Sequence, residues 1–203
     1  MIAFEVLKTG DVGVGGSTGG VLQRSLMASH ALINRSLGEL RLTQGVQTRE
    51  HIPLAGFIDD IAASARLDAN NRGLTLIVMP VEDGVAVEAD RQILAAVVGN
   101  LLQNAFKFTR PCTTVTLRVS ATAERVLIEV LDECGGLPGG DIDELFRPFE
   151  QRSVDRTGVG LGLAFSRRSA EANHCRISAR DVPDSGCIFT VDVPRSRVPA
   201  IAR

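Results

Sequence analysis

The segment from Asp90 to Pro111 leaves the chain few folds to choose from. Leu94, Val97, Val98, Leu101 and Ala105 recur at helical spacing, so Arg91 to about Phe108 reads as a helix with one broad apolar face. Asp90 stands where a side-chain oxygen caps the first turn, and Pro111 closes the far end. The other side of this helix carries Asn100, Asn104 and Lys107 at i, i+4 and i+7, which sets two amides and an ammonium in one stripe. Taken alone, such a stripe is more often a solvated surface than a binding site.

Strand and turn signals surround that helix. Thr48 to Ile52 fits a short strand, and Pro53 at a first helical position opens a segment with Leu54, Phe57, Ile58, Ile61 and Ala65 on one face, ending near Asn71-Arg72-Gly73. Leu74 to Met79 and Val85 to Glu88 read as two strands joined by Pro80 to Gly84. Thr113 to Ala121 and Val126 to Leu131 form a hairpin through Thr122 to Arg125. Cys134 to Gly160 is Gly-rich and irregular, Leu161 to Ala172 is helical, and Arg176 to Asp181 and Ile188 to Val193 are closing strands around Pro183-Asp184-Ser185-Gly186. The pattern predicts an α+β, two-layer sandwich with helices on one face of a mixed sheet.

Residues 1–48 read as a separate α-helical piece. Met1 to Thr9 has helical composition, Gly10 to Gly20 holds six glycines, and Val21 to Leu42 places Leu26, Ile33 and Leu40 seven apart. That narrow stripe suits a helix-to-helix seam or a helix packed on its own domain with equal weight.

Composition removes several functions. With 22 Lys+Arg against 24 Asp+Glu the net charge is −2, which gives no grip on nucleic acid or an anionic membrane. Eight Phe without Trp or Tyr supply few stacking platforms for bases. No run reaches the roughly 18 apolar residues of a membrane span, and the start lacks a basic secretory signal, so a cytoplasmic chain without membrane insertion is expected. The four cysteines, Cys112, Cys134, Cys175 and Cys187, show neither a C-x-x-C pair nor a His at finger spacing, so neither a disulfide framework nor a zinc site is indicated and they are expected to stand alone as reduced thiols.

Two further segments carry chemistry. A strand ends in Val130-Leu131-Asp132-Glu133-Cys134-Gly135-Gly136, placing an acid at the sheet edge beside a tight turn. Thr157 to Leu163 opens a helix with three alternating glycines, where backbone N–H groups and the helix dipole can cradle phosphates. Neither is specific alone. In this order, with the amide stripe before them, they resemble the catalytic ATP-binding domain of sensor histidine kinases, within the gyrase-type ATPase superfamily. Asn100 to Thr109 resembles the N box, Asp132 to Gly136 the first glycine box, Leu145-Phe146-Arg147-Pro148-Phe149 the F box and Gly158 to Leu163 the second glycine box. Ser185 to Thr190 resembles the small-residue turn before the last strand.

The resemblance implies a Bergerat-type ATP-binding fold over residues 49–197 with a tail at 198–203, and ATP with Mg²⁺ as cofactors. Asn100, Asn104, Lys107, Asp132, Gly136, Gly158, Gly160, Leu161, Gly162 and Leu163 would line the ATP site. Asn104 would offer an oxygen to Mg²⁺, Lys107 would neutralise phosphate, and Asp132 would accept from the adenine amine. Phe146 and Phe149 would pack down a lid over 135–159. One departure is Cys134, which replaces the first Gly of Asp-x-Gly-x-Gly and is tolerable where φ is negative.

By the same resemblance, residues 1–48 look like part of a dimerisation hairpin, with the chain beginning after the H box, the phosphoacceptor His followed by an acid and soon by Pro. His30 has neither neighbour. The expected function is a histidine protein kinase module, incomplete in this chain, that supplies the γ-phosphoryl group to a histidine elsewhere and works as a homodimer with a response regulator. The alternative is a catalytically silent nucleotide-binding scaffold that dimerises and docks a response regulator. An anti-sigma serine kinase shares the ATPase fold but ordinarily lacks a helical hairpin.

Overall fold

In the computed structural model the described residues are 48–137, 142–148, 162–183 and 185–196, all within the unit Val46–Arg203. Strand β1 (Glu50–Pro53) leads into helix α1 (Leu54–Asn71), followed by β2 (Thr75–Val78), β3 (Ala86–Ala89), α2 (Arg91–Phe108), β4 (Thr114–Ala121) and β5 (Arg125–Asp132). A short 3-10 turn at Ile142–Phe146 precedes α3 (Gly162–Ala172), β6 (Arg176–Val182) and β7 (Gly186–Pro194). Five strands form one sheet in the order β2-β4-β5-β7-β6, with β2 parallel to β4 and the other pairings antiparallel. The mixed sheet packed against helices is the two-layer α+β architecture that the sequence pattern predicts.

Period-two alternation decides which side of the sheet the helices cover. Val115 and Leu117 on β4, Val126, Ile128 and Val130 on β5, and Val191 and Val193 on β7 are buried. Register aligns them across strands, with Leu117 opposite Val130, Val130 opposite Phe189, and Ile128 opposite Val191. The buried faces of α1 (Leu54, Phe57, Ile58) and α2 (Leu94, Val97, Val98, Leu101) complete this core. On the opposite side the directly paired Arg118 and Glu129 form a 2.9 Å ion pair.

Helix α2 begins as its sequence requires. The Asp90 carboxylate accepts from the N–H groups of Gln92 and Ile93, which satisfies two donors of the first turn. Asp90 is itself clasped by Asn173, just beyond α3: its N–H donates to Asn173 Oδ1 at 2.8 Å, and Asn173 Nδ2 donates to its carbonyl at 3.1 Å.

The structure departs from expectation at Pro53, and it adds the pairing of two strands that the sequence leaves open. Pro53 is the last residue of β1 and caps α1 from outside instead of occupying its first turn. The strands on either side of Pro80 to Gly84 do not belong to one sheet: β2 runs beside β4, whereas β3 turns back to pair with β1 in a separate two-stranded sheet. Met79 N–H bonds to Leu117 O and Leu54 N–H to Val85 O, so each strand finds its partner on a different side of the loop. The N-terminal helical piece, apart from Thr48, and much of the Gly-rich stretch lie outside the described residues. Among the described residues no helix is long and apolar enough to cross a membrane.

At the start of β7 the two central strands approach closely, and a Cβ on Gly186 would collide with the Asp132 carbonyl oxygen. Gly56 on α1 has nothing within 4 Å of such a Cβ. Gly186→Ala is therefore expected to lower stability by ~1–3 kcal/mol through overpacking, and Gly56→Ala to raise it by ~0.5–1 kcal/mol through helix propensity. Urea unfolding midpoints of the two variants check both signs.

Candidate functional site

The polar stripe of α2 divides into groups with different duties. Asn100 is half-buried, and its Nδ2 donates to the buried Ser166 Oγ on α3 at 2.7 Å. Gly162 opens α3 close to the same amide, where a Cβ would lie 3.0 Å from Asn100 Oδ1. Asn100 thereby fastens α2 to α3. One turn on, Asn104 is half-buried and its Nδ2 is buried without a hydrogen-bond partner among the described residues. Lys107 is half-buried, with its ammonium 4.8 Å from the centroid of the Phe108 ring.

Asp132 extends the inward series Val126, Ile128, Val130 by one more alternate position, which brings a carboxylate to the helix side of the sheet. It is 7% exposed. Its Oδ1 accepts from Cys134 N–H at 3.0 Å and from Cys187 N–H at 3.3 Å, and the Cys187 thiol lies 3.1 Å from Oδ2. The next residue ties this edge to α2: Glu133 N–H donates to Thr109 Oγ1 at 3.1 Å, and Arg110 N–H reaches the Glu133 carbonyl. The chain then turns through Gly135 (φ 92°) and Gly136 (φ 111°), conformations that favour glycine. Cys134 is not among the residues of positive φ, so a side chain is tolerated at that position. Asp181 on β6 holds the exit of the turn by accepting from Leu137 N–H at 2.7 Å.

All four cysteines are free thiols, as the sequence predicts, but two of them are neighbours. Cys134 and Cys187, 53 positions apart in the chain, bring their sulfurs to 3.4 Å. Asp132 and Cys187 are register partners across β5 and β7, and the bend after Asp132 carries Cys134 back over both. Burial raises the Cys187 thiol well above its ordinary value, and the adjacent Asp132 carboxylate pushes it the same way. Cys134 is raised by the same two causes.

Phe146 is buried against Phe189 of β7, ring centroids 6.5 Å apart and nearly perpendicular, with the Arg167 guanidinium of α3 4.0 Å from its centroid. Gly162 and Leu163 form the start of α3. Gly158, Gly160, Leu161 and Phe149 lie outside the described residues. The sequence assigned no role to Ser166 and Asp181 and placed Thr109 only at the end of the N-box segment, yet all three are polar residues that position the site. Only the small size and polarity of Ser166, facing a glycine-led helix turn, offered a signal.

Residues 89–197 match the model of the histidine kinase-, DNA gyrase B- and HSP90-like ATPase family. Among curated relatives, the sensor protein KdpD of Mycobacterium tuberculosis is 40% identical over 124 residues, 60% of this chain and 14% of that protein. The sensor protein CreC of Escherichia coli is 29% identical over 174 residues, 81% of this chain and 35% of CreC. The chain thus spans a small part of the KdpD proteins it matches. Among solved structures, the catalytic domain of histidine kinase ThkA superposes with a TM-score of 0.65 at 21% identity, covering 73% of this chain and 96% of that one. Full-length ShkA in complex with AMPPNP gives 0.70 at 23% identity, covering 94% and 41%. Both structures share the fold described above. The chain belongs to the histidine kinase-, DNA gyrase B- and HSP90-like ATPase family.

Proposed function

We propose that this module binds ATP with Mg²⁺ along the Asn100–Lys107 stripe and at Asp132, and transfers the γ-phosphoryl group to a histidine presented from outside the ATPase domain. The observation that carries the reading is the Thr109–Glu133 hydrogen bond, which locks the turn after Asp132 to the residue that ends the stripe's helix. A carboxylate and an amide–ammonium row held as one unit suit a ligand with a base at one end and phosphates at the other. Asp132 would accept from the adenine amine; being acceptor-only, it disfavours guanine, which has a carbonyl oxygen at that ring position. Lys107 would stabilise phosphate charge.

The residues fit the metal ion. The Asn104 amide, whose buried Nδ2 has no hydrogen-bond partner among the described residues, would offer a neutral oxygen donor of the kind Mg²⁺ prefers. Bound to the triphosphate, Mg²⁺ would neutralise charge during transfer, and Asn104 Oδ1 would hold it. Gly158, Gly160 and Gly162 would admit phosphates to the backbone ahead of α3. Gly136, Leu161 and Leu163 would complete the wall, and Phe146 and Phe149 would seat the lid.

The histidines among the described residues lie elsewhere. His51 is exposed on β1 and hydrogen-bonds Ser196 Oγ at 3.0 Å, and His174 is exposed beyond α3. Residues 1–48 are read as part of a dimerising hairpin, 49–197 as the ATPase domain and 198–203 as a tail. A cytoplasmic homodimer with a response regulator as phosphoryl acceptor follows from that reading, supported by the sensor-protein relatives.

Calorimetric titration of a non-hydrolysable ATP analogue is expected to show Mg²⁺-dependent binding that weakens ~10–100-fold in Asp132→Ala, the worth of a hydrogen bond to a charged group. Equal binding by both proteins would sink the site assignment. Incubation with γ-labelled ATP is expected to leave the 203-residue chain without acid-labile, alkali-stable label and to label an added hairpin that carries an H box. Such label on the chain itself, lost in His30→Gln, would make the chain its own substrate and reverse this part of the reading.

A further inference from the structure

Two sulfurs and a carboxylate converge where the ATPase module has no evident need of thiols. Asp132, Cys134 and Cys187 place one ligand atom each within 4.8 Å of one another. The separations discriminate between two chemistries. A disulfide requires the sulfurs at ~2.05 Å, whereas two thiolates on one tetrahedral zinc at ~2.3 Å each stand about 3.8 Å apart, and a thiolate and a carboxylate oxygen about 3.5 Å. In the metal-free protein the 3.4 Å between sulfurs and the 3.1 Å from Cys187 Sγ to Asp132 Oδ2 are thiol hydrogen bonds; they lie within a few tenths of an ångström of the second arrangement, and the sulfurs are more than an ångström too far apart for the first.

Electrostatics point the same way. Among the described residues no basic side chain pairs with Asp132, and its charge resists ionisation of both thiols. A dication reverses that relation, because three anionic ligands then share one centre of positive charge. We infer that Asp132, Cys134 and Cys187 form a binding site for a thiophilic divalent cation, Zn²⁺, at the end of β5. Binding forms two Zn–S bonds and one Zn–O bond, and the two thiol protons pass to solvent. Cys187 is held rigidly within β7, whereas Cys134 is half-exposed on the turn and provides the entry side. Three protein ligands leave the fourth tetrahedral position to water. Resting on the nucleotide reading above, the cation and adenine draw on the same carboxylate, so Zn²⁺ excludes ATP.

The test uses the whole 203-residue chain, reduced with a phosphine and free of chelator. Co²⁺ titration, read by thiolate-to-cobalt charge-transfer absorption, is expected to saturate at one equivalent, to reverse on adding Zn²⁺, and to vanish in Cys134→Gly. Circular dichroism verifies that this variant is folded. Cys187→Ser is expected to weaken binding by more than the ~10–100-fold that loss of an outer-shell partner costs. No charge-transfer band at micromolar metal, or an undiminished band in Cys134→Gly, overturns the site. So does recovery of the pair as a disulfide, lighter by two hydrogens and without metal. In a separate arm, saturating Zn²⁺ is expected to weaken ATP-analogue binding ~10-fold or more in the parent chain, with ATP weakening Zn²⁺ equally, and to leave Cys134→Gly unaffected. Metal binding with unchanged ATP affinity upholds the site and overturns the exclusion. Failure to bind ATP at all overturns the nucleotide reading, while the cobalt titration still decides the metal.

Discussion

A carboxylate buried to 7% exposure, with no cation beside it among the described residues, has to be held by neutral donors, and the centre of this domain is arranged around that need. Asp132 is satisfied by two backbone N–H groups and a thiol, drawn from its own turn and from the neighbouring strand. Each donor is present only if β5 and β7 are in register and the chain bends sharply after Glu133. Gly186 permits the first condition, and Gly135 with Gly136 permits the second. The glycines therefore serve the carboxylate first, and any ligand through it.

Helix α2 shows how one element can supply core and site together. Its apolar face is fixed by the sheet, so the residues left over have no freedom to choose their direction. Asn100 meets Ser166 on α3, Asn104 keeps an amide nitrogen without a partner among the described residues, and Lys107 sits two residues before the Thr109 contact with Glu133. The polar stripe is thus positioned by the packing of its opposite side. Moving it would require repacking Leu94, Val97, Val98 and Leu101 against the strands.

What could be read in advance follows from where the information is stored. The cap, apolar period and terminating proline of α2 agree locally, so the helix and its stripe were legible. Asp132 was legible because strand end and glycine turn adjoin it in sequence. The meeting of Cys134 with Cys187 depends on the pairing of β5 with β7, a register set by the closing turn and by Gly186, and no local pattern encodes it. The same reason hid the separation of β2 from β3: the loop Pro80 to Gly84 is short enough for a hairpin, and only the competing partners β4 and β1 send the two strands apart. Cys134, a departure that the sequence reading tolerates only where φ is negative, is not among the residues of positive φ, and the condition is met.

Strand β7 lies between β5 and β6 and pairs along the whole length of β5, yet it is the last described strand to be synthesised. A ribosome delivers Asp132 long before the strand that donates to it, so the emerging chain carries β5 with one edge open and its carboxylate without the Cys187 donors. Pairings over such sequence distances form slowly, since loop closure precedes any gain from contacts. The domain consequently has no stage at which a partial product already holds the assembled Asp132 environment. Completion of the sheet and completion of the site are the same event, and it waits for the final strand.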